Sequence, residues 1–209
     1  MKTFEIITET DARVLERGET VMLARGGHIT PLAQDTLRER RVTVVRDGQV
    51  SIEEAALAPV ADIRRIVIAS DHGGVKLRKD LVAFLRGRGL SVHDMGTDGS
   101  DPVDYPDTAA VAARSVALGE TDAGIAIDGA GIGSAIAANK IRGIRAVMAT
   151  TDTIARYARQ HNGANVLTLG ATLVSLEEAK AIVTAFVTTP MSEARYIRRL
   201  GKIRDLERS

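Results

Sequence analysis

The chain has 209 residues, of which 44% are hydrophobic, and a formal net charge of +1 at neutral pH. This size allows one or two globular domains, and the near-zero charge gives no reason to expect nucleic acid or an anionic membrane as a partner. Because the chain contains no cysteine, disulfides, thiolate metal sites and a cysteine nucleophile or base are excluded. No apolar run reaches the roughly 18 residues of a membrane-spanning helix, and we expect a cytoplasmic location.

The first 60 residues differ in pattern from the rest of the chain. The segment TVMLARGGHITPLAQDTLRERRVTVV, residues 20–45, predicts a strand, a turn, a helix and a strand. Thr30 can cap the helix, and Pro31 suits its first position, where a missing N–H costs nothing. This unit is too small to hold much core alone. Residues 47–62, which follow it, are predicted to be a linker.

From residue 66 onward, short β-branched runs alternate with helical patterns. We predict strands at residues 66–69, 91–94, 124–127, 145–148 and 166–169. We predict helices at residues 75–86, 105–118, 133–139, 151–160, 176–187 and 192–205. This alternation predicts a parallel sheet covered by helices on both faces. Three of these strand segments, IVIA, AGIAI and RAVMA, are apolar rather than alternating, as expected for strands that are buried on both sides.

The sequence AGIAIDGAGIGSAIAANK, residues 123–140, places an aspartate and three alternate glycines between a buried strand and a helix. Gly129, Gly131 and Gly133 permit positive φ and close approach of backbone N–H groups to an anion. The helix N-terminus adds further donors at the strand end where α/β sheets bind ligands. A tight turn without a ligand is the alternative. A dinucleotide fingerprint does not fit, because the third glycine comes one residue early.

Other polar residues also fall where predicted elements end. Asp71 and His72 follow the first strand of the α/β region, where a helix N-cap and a surface histidine are the alternatives. Tyr105 begins a helix within DYPD. His161 and Asn162 precede the last strand, where a helix C-terminal cap is the alternative. The four histidines show no metal-ligand spacing, so we predict no metal site.

These motifs, in this order, resemble type B ribose-5-phosphate isomerases and the related galactose-6-phosphate isomerase subunits. The motifs are SDHGG, DYPD, DGAGIGSAIAANKIRGIRA, ARQHNGANVLTLG and FVTTP…EARYIRR. The resemblance covers roughly residues 64–205 and implies a Rossmann-like αβα sandwich with a five-stranded parallel sheet. We therefore expect an isomerase domain over residues 61–209, preceded by a small α/β extension over residues 1–60. The resemblance also implies a homodimer or tetramer and aldose–ketose isomerisation without a metal or cofactor.

The resemblance implies a role for each candidate residue. Asp71 and His72 would contact the sugar, and Tyr105 would line the pocket. His161 would assist ring opening, with Asn162 beside it. Backbone N–H groups would hold the enediolate oxygens along Gly129, Ala130, Gly131, Ile132, Gly133 and Ser134. Arg195 and Arg199, which are four residues apart on one helix face, would reach the neighbouring subunit's site and hold phosphate. The alternative for these arginines is a solvated basic surface.

The chain departs from the family pattern at several site positions. Many members have cysteine where this chain has Asp128, and another branch has glutamate where it has Ser134. As Asp128 is the only ionisable residue of the loop, we predict that it is the base. An aspartate is a weak base unless burial raises its pKa. Ala130 stands where the family usually has a threonine thought to help ring opening. Thr172 replaces an arginine that often contacts phosphate, and Tyr196 replaces a histidine that is common beside Arg195.

Ribose 5-phosphate is the expected substrate, and ribulose 5-phosphate the product. A tetrose phosphate is an alternative, because it cannot form a five-membered ring and needs no ring-opening threonine. Other sugar phosphates, and a non-catalytic sugar-phosphate-binding or scaffold protein, are further alternatives.

A short N-terminal segment has a resemblance of its own. HITPLAQDTLRERRVTVV, residues 28–45, is similar to a segment of corrinoid adenosyltransferases of ethanolamine utilisation and of other bacterial microcompartment proteins. This similarity implies that residues 1–60 dock to a shell or cargo partner, and that the protein resides within a microcompartment. A dimer-stabilising extension is the alternative.

Overall fold

The computed structural model describes residues 1–46, 52–99, 101–191 and 193–208. Contacts between residues divide the chain into two compact units, each of which has its own parallel sheet. The first unit comprises Met1–Asp62, Gln160–Gly163 and Thr189–Ser209. The second unit comprises Ile63–Arg159 and Ala164–Thr188. The division into an extension over residues 1–60 and a domain over residues 61–209 stays a prediction.

The first unit contains a three-stranded sheet of β1 (Thr3–Ile7), β2 (Thr20–Ile29) and β3 (Thr43–Arg46), in that order. Two helices, α1 (Glu9–Val14) and α2 (Pro31–Glu39), join these strands, and α3 (Ile52–Ala55) follows. The sheet and its helices bury a small apolar core that includes Ile7, Leu15, Val21, Leu23 and Leu37.

The predicted order of strand, turn, helix and strand over residues 20–45 is observed, with β2 continuing through Gly26 and Gly27 to Ile29. The pairing of β1 with β2 shifts between Phe4 and Ile6, and this irregularity accommodates the extra residues of β2. A Cβ at Gly27 would lie 2.6 Å from the carbonyl oxygen of Glu5, so the close approach of the two strands requires glycine.

Two local details of the first unit differ from the predictions. Thr30 occupies the N-cap of α2, but its hydroxyl makes no capping hydrogen bond, while Pro31 begins the helix as predicted. The start of the chain forms β1 and α1, which were not predicted. The hydroxyl of Thr8 and the carboxylate of Asp11 form a reciprocal capping box at the start of α1.

The second unit is built on β4 (Arg65–Ser70), β5 (Ser91–Asp94), β6 (Ala123–Asp128), β7 (Ala146–Met148) and β8 (Val166–Gly170). The strand order is β5-β4-β6-β8-β7, and all pairings are parallel. The helices are α4 (Val75–Gly87), α5 (Tyr105–Ala117), α6 (Ile132–Ala138), α7 (Asp152–Asn162) and α8 (Leu176–Thr188), although the last residues of α7, from Gln160 onward, belong to the first unit. The predicted five-stranded parallel α/β fold is therefore confirmed.

The sheet of the second unit is covered on both faces because alternate residues of its strands contact different helices. Ile66 and Ile68 of β4 share a core with residues of α4 and α8. Val67 and Ala69, which point to the opposite face, pack against Ala112 of α5. This arrangement explains the continuous apolar runs in the sequence.

The chain ends in α9 (Ala194–Leu206), which belongs to the first unit. Ser192, with which the predicted helix begins, lies outside the described residues, as do residues 47–51 of the predicted linker. The rest of the predicted linker is not a simple connection. It contains α3, whose Ala55 is buried in a cluster with Ile197 and Leu200 of α9. Within the described parts of the chain, no helix combines the length and apolarity needed to span a bilayer.

Candidate functional site

Two buried carboxylates lie at the carboxyl ends of neighbouring strands in the second unit. Asp128 ends β6, and Asp71 follows β4, which pairs with β6. The side chains are almost inaccessible, at 3% exposure for Asp128 and 7% for Asp71. The N–H of Asp71 donates to the carbonyl oxygen of Ile127 at 3.1 Å, so the two strand ends are joined directly. Open α/β sheets bind their ligands at this edge.

The Asp128 carboxylate accepts hydrogen bonds from the glycine loop, which is defined here as residues 129–134. Oδ1 accepts from the N–H groups of Ala130, at 2.8 Å, and Gly131. Oδ2 accepts from the N–H of Ser134 at 2.9 Å and from its hydroxyl at 2.5 Å. The loop amides therefore surround a carboxylate of the same chain, and their contact with enediolate oxygens stays a prediction.

These hydrogen bonds determine the ionisation of Asp128. Burial raises the pKa of this carboxyl, since it penalises the charged form. The hydrogen bonds from Ser134, Gly131 and Ala130 outweigh burial and hold the pKa below its ordinary value of 3.8. Asp128 is therefore an anion at neutral pH. Burial alone therefore does not make Asp128 a stronger base, because these hydrogen bonds more than offset its effect on the pKa.

Two glycines of the loop are required by their surroundings. Gly131 has a φ of 76° at the N-cap of α6, where residues with a side chain are strained. A Cβ at Gly133 would lie 2.5 Å from ring atoms of Tyr105, so this ring lies directly against the loop. Tyr105 begins α5 and is 42% exposed. The structure thus brings the predicted pocket residue Tyr105 to the glycine loop.

Two threonines near the end of β8 fix the peptide groups of the loop. The buried hydroxyl of Thr168 donates to the carbonyl oxygen of Gly131 at 2.7 Å. The hydroxyl of Thr172 donates to the carbonyl oxygen of Gly129, also at 2.7 Å. Sequence reasoning missed Thr168, although a single polar residue in the apolar strand VLTLG was a usable signal. It noted Thr172 only as the replacement of an arginine.

Asp71 and His72 begin a short 3₁₀ turn, His72–Gly74. Oδ1 of Asp71 accepts from the N–H groups of Gly73, at 2.9 Å, and Gly74, at 3.1 Å, so the N-cap interpretation holds for this oxygen. No described residue donates a hydrogen bond to its Oδ2. Nδ1 of His72 accepts from the N–H of Val103 at 3.3 Å, which places the proton of a neutral ring on Nε2.

The remaining predicted site residues belong to the first unit and form a second cluster. The His161 and Tyr196 rings have centroids 4.6 Å apart. The guanidinium carbons of Arg195 and Arg199 lie 4.7 Å and 5.6 Å from the Tyr196 ring centroid. Asn162 is the last residue of α7, and Gly163 follows with a φ of 58°, which is typical of a helix C-terminal cap.

No group of three or more histidine, aspartate or glutamate side chains suited to a metal ion occurs in the described ranges, whose gaps are residues 47–51, 100, 192 and 209.

Comparisons with known proteins show the family that this chain resembles. The family described as Ribose/Galactose Isomerase matches residues 66–203. The chain is 43% identical to ribose-5-phosphate isomerase B of Escherichia coli (strain K12) over 145 residues, which cover 69% of this chain and 97% of that protein.

Solved structures of similar proteins share the fold. Ribose-5-phosphate isomerase B of Clostridium thermocellum is 44% identical, with a TM-score of 0.68 over 69% of this chain and 97% of that one. The enzyme of Mycoplasma genitalium, solved with bound ribulose-5-phosphate, is 37% identical, with a TM-score of 0.67 over the same shares.

The sheet, its anion-binding loop and these similarities define an aldose–ketose isomerase of phosphorylated sugars. The chain belongs to the ribose/galactose isomerase family, which it matches over about two thirds of its length. Residues 1–65 precede the matched range, and the predicted microcompartment location and partners stay predictions.

Proposed function

We propose that this protein interconverts ribose 5-phosphate and ribulose 5-phosphate through an enediolate, with Asp128 as the base. The observation that carries the proposal is a dry, ionised carboxylate inside an amide-lined loop at the ligand-binding edge of the sheet. The relatives support the five-carbon substrate, since one is named ribose-5-phosphate isomerase B and another was solved with bound ribulose-5-phosphate.

The reaction moves a proton between adjacent carbons of the sugar. The Asp128 carboxylate removes the proton from C2 of the open-chain aldose, and the electron pair moves onto the carbonyl oxygen at C1. In the resulting enediolate the hydroxyl proton at O2 moves to O1, and Asp128 then returns the abstracted proton to C1, so that O2 becomes the carbonyl oxygen of the ketose. Throughout these steps the loop holds one negative charge, first on the carboxylate and then on the enediolate.

This transfer of charge explains how a carboxylate with a lowered pKa acts as a base. The N–H groups of Ala130 and Gly131 lower the pKa of Asp128 in the free protein. When a substrate oxygen accepts the hydrogen bonds of these N–H groups, Oδ1 of Asp128 loses them. Burial then raises the pKa of Asp128 without these bonds to offset it. The same donors then stabilise the enediolate, where charge develops in the transition state.

Other donors of the loop remain available to the substrate. The N–H groups of Ile132 and Gly133 lie in the first turn of α6, where no acceptor exists within the helix. The hydrogen bonds of Ser134 keep Oδ2 in place while Oδ1 faces the reacting carbons. We assign sugar hydroxyl contacts to Oδ2 of Asp71 and to Nε2–H of His72.

The proposal includes a second copy of the chain. Ile132 and Ile136 are one turn apart on α6 and are 56% and 59% exposed, so they form an apolar stripe directly beside the glycine loop. Such a stripe suits a two-fold symmetric interface. In the resulting homodimer, Arg195 and Arg199 would hold the phosphate of the sugar in the other copy's site. We assign ring opening to His161, with Asn162 beside it.

A tetrose 4-phosphate is the second candidate substrate. Ala130 favours it, because this loop position has no hydroxyl to assist the opening of a furanose ring. Comparing kcat/KM for four-, five- and six-carbon aldose phosphates under one set of conditions decides between them. A higher value for the tetrose phosphate would replace ribose 5-phosphate in the proposal.

The activity is tested by mixing the full chain with ribose 5-phosphate and following ribulose 5-phosphate, together with exchange of the C2 proton in deuterium oxide. Asp128→Ala should abolish both signals and stay folded. Arg156→Ala, which removes only a surface ion pair with Asp152, is the matched control and should keep both. Tight sugar-phosphate binding by the wild type without any proton exchange would favour a non-catalytic binding protein.

We also propose that the first unit docks to a microcompartment shell or cargo protein. The support is the short sequence similarity of residues 28–45 and the exposure of Leu32 at the start of α2. The full chain carrying Leu32→Glu should lose co-sedimentation with assembled shells. Unchanged co-sedimentation, or none with the wild type, would contradict this docking.

A further inference from the structure

We propose that Tyr196 is a positioning residue, which holds the phosphate-binding arginines and His161 in one arrangement. This inference rests on the proposed function of Arg195 and Arg199. Tyr196 stands where a histidine is common in the family.

The Tyr196 side chain makes a different contact with each arginine. Its hydroxyl accepts a hydrogen bond from Nη2 of Arg195 at 2.9 Å, and the Arg195 guanidinium also lies 4.7 Å from the ring centroid. The Arg199 guanidinium lies 5.6 Å from the same centroid. Both distances are within the range of a cation–π attraction. One ring therefore holds two positive groups that would otherwise repel each other.

The ring is itself held rigidly. Tyr196 is only 8% exposed and belongs to an apolar cluster with Val45, Ala55, Ile197 and Leu200. A buried aromatic ring on a helix has few accessible rotamers, so it provides a fixed reference for flexible arginine side chains. Fixing these side chains in advance reduces the entropy that would be lost when they bind phosphate.

His161 contacts the same ring, with its centroid 4.6 Å away and an angle of 32° between the ring planes. The group assigned to ring opening and the groups assigned to phosphate are thus joined through one side chain. We therefore assign all three to the same bound sugar phosphate. Tyr196 sets the distance between the imidazole and the phosphate-binding guanidinium groups.

The contacts of Arg195 leave it able to bind phosphate. The hydrogen bond to Tyr196 uses one of the five guanidinium N–H donors. The nearby carboxylate of Glu193 is 3.5 Å from Nε, but both side chains are more than half exposed, so this ion pair contributes little.

Two substitutions separate the functions of the ring and the hydroxyl. Tyr196→Phe keeps the ring but removes the acceptor for Arg195. We expect it to raise KM for ribose 5-phosphate and the inhibition constant of inorganic phosphate about 3- to 10-fold, as for loss of one hydrogen bond, and to leave kcat nearly unchanged. Tyr196→Leu also removes the contact with His161, and we expect it to lower kcat as well.

Arg198→Ala is the matched control, because Arg198 is an exposed arginine of the same helix that makes no contact with Tyr196. It should leave both constants unchanged. Circular dichroism shows whether each variant is folded, and Tyr196→Phe keeps the test valid if Tyr196→Leu does not fold. Unchanged KM and phosphate inhibition in Tyr196→Phe would overturn the inference while leaving the proposed function intact.

If the wild type does not isomerise any sugar phosphate, the proposed function fails and phosphate binding still tests Tyr196. Calorimetric titration with inorganic phosphate should then show weaker binding to Tyr196→Phe than to the wild type. Equal binding to both proteins, or no binding to either, would overturn the inference.

Discussion

The hydroxyl of Ser134 lies 2.5 Å from Oδ2 of Asp128, and both side chains are buried at the carboxyl edge of the sheet. Hydrogen bonds from a hydroxyl to a carboxylate are among the stronger ones in proteins. This bond orients one oxygen of the predicted base and stabilises its charged form.

Ser134→Ala should reduce stability in a pH-dependent way. The pKa of Asp128 is lowered in the folded protein, so its contribution to stability is fully present above the unfolded pKa and is lost as the pH falls through the folded pKa. Removing the hydroxyl raises the folded pKa and reduces that contribution. We expect a loss of about 1.5–3 kcal/mol at pH 7 that disappears in acid, measured by urea unfolding.

Ser115→Ala is the control for this experiment, because its hydroxyl pairs with Thr121 and not with a carboxylate. Its effect on the free energy of unfolding should not vary between pH 7 and acid. A pH-independent loss in Ser134→Ala would show that its hydrogen bond does not stabilise the charged form of Asp128.

Asp128→Cys should move the acid limb of the activity profile to higher pH. A carboxylate base with a lowered pKa keeps the wild type active well into the acid range, whereas a thiol must ionise first, at a pKa near 8.5. We expect kcat/KM of the cysteine variant to rise with pH through that range, with Asp128→Ala inactive throughout. The same acid limb in the cysteine variant and the wild type would argue against Asp128 as the base.

Thr168→Val should weaken both the loop and the reaction. Valine keeps the shape but leaves the carbonyl oxygen of Gly131 without its 2.7 Å hydrogen bond. We expect a stability loss of about 1–3 kcal/mol and a lower kcat, because the amide groups of the loop lose their orientation. Thr188→Val removes a hydroxyl-to-carbonyl bond within α8 and is the matched control. An unchanged kcat in Thr168→Val would contradict the positioning role.

Gly133→Ala should displace Tyr105 and raise KM. The new Cβ would lie 2.5 Å from the Tyr105 ring, so either the ring or the loop must move. Gly87→Ala, where a Cβ meets nothing within 4 Å, is the control and should have little effect. The double variant Gly133→Ala/Tyr105→Ala should recover the stability lost by Gly133→Ala, as measured by thermal unfolding. No recovery would show that another contact causes the loss.

Subunit mixing tests the shared site. Asp128→Ala and the double variant Arg195→Ala/Arg199→Ala should each be inactive. If the arginines act in the other copy's site, half of the randomly mixed dimers are heterodimers with one intact site. Mixing therefore restores about a quarter of wild-type activity. Absence of any recovery, although mass spectrometry shows heterodimers, would place the arginines at the site of their own copy.

Much of the fold follows from local patterns. Short β-branched runs alternate with helical periods, and this pattern was sufficient to predict β4 to β8. It failed for α3, which is short and is stabilised by contacts with distant residues of α9.

The candidate site, like the fold, could be predicted only in part from local sequence. Local sequence is enough to place Asp128 after a buried strand and before a glycine-rich helix start, because chain order and the small size of glycine are local properties. Three other relationships arise only in the folded chain: the loop amides donate to Asp128, Thr168 donates to Gly131, and Tyr196 contacts His161 and two arginines. These contacts depend on strand register and side-chain packing between segments far apart in the chain, which no local pattern specifies.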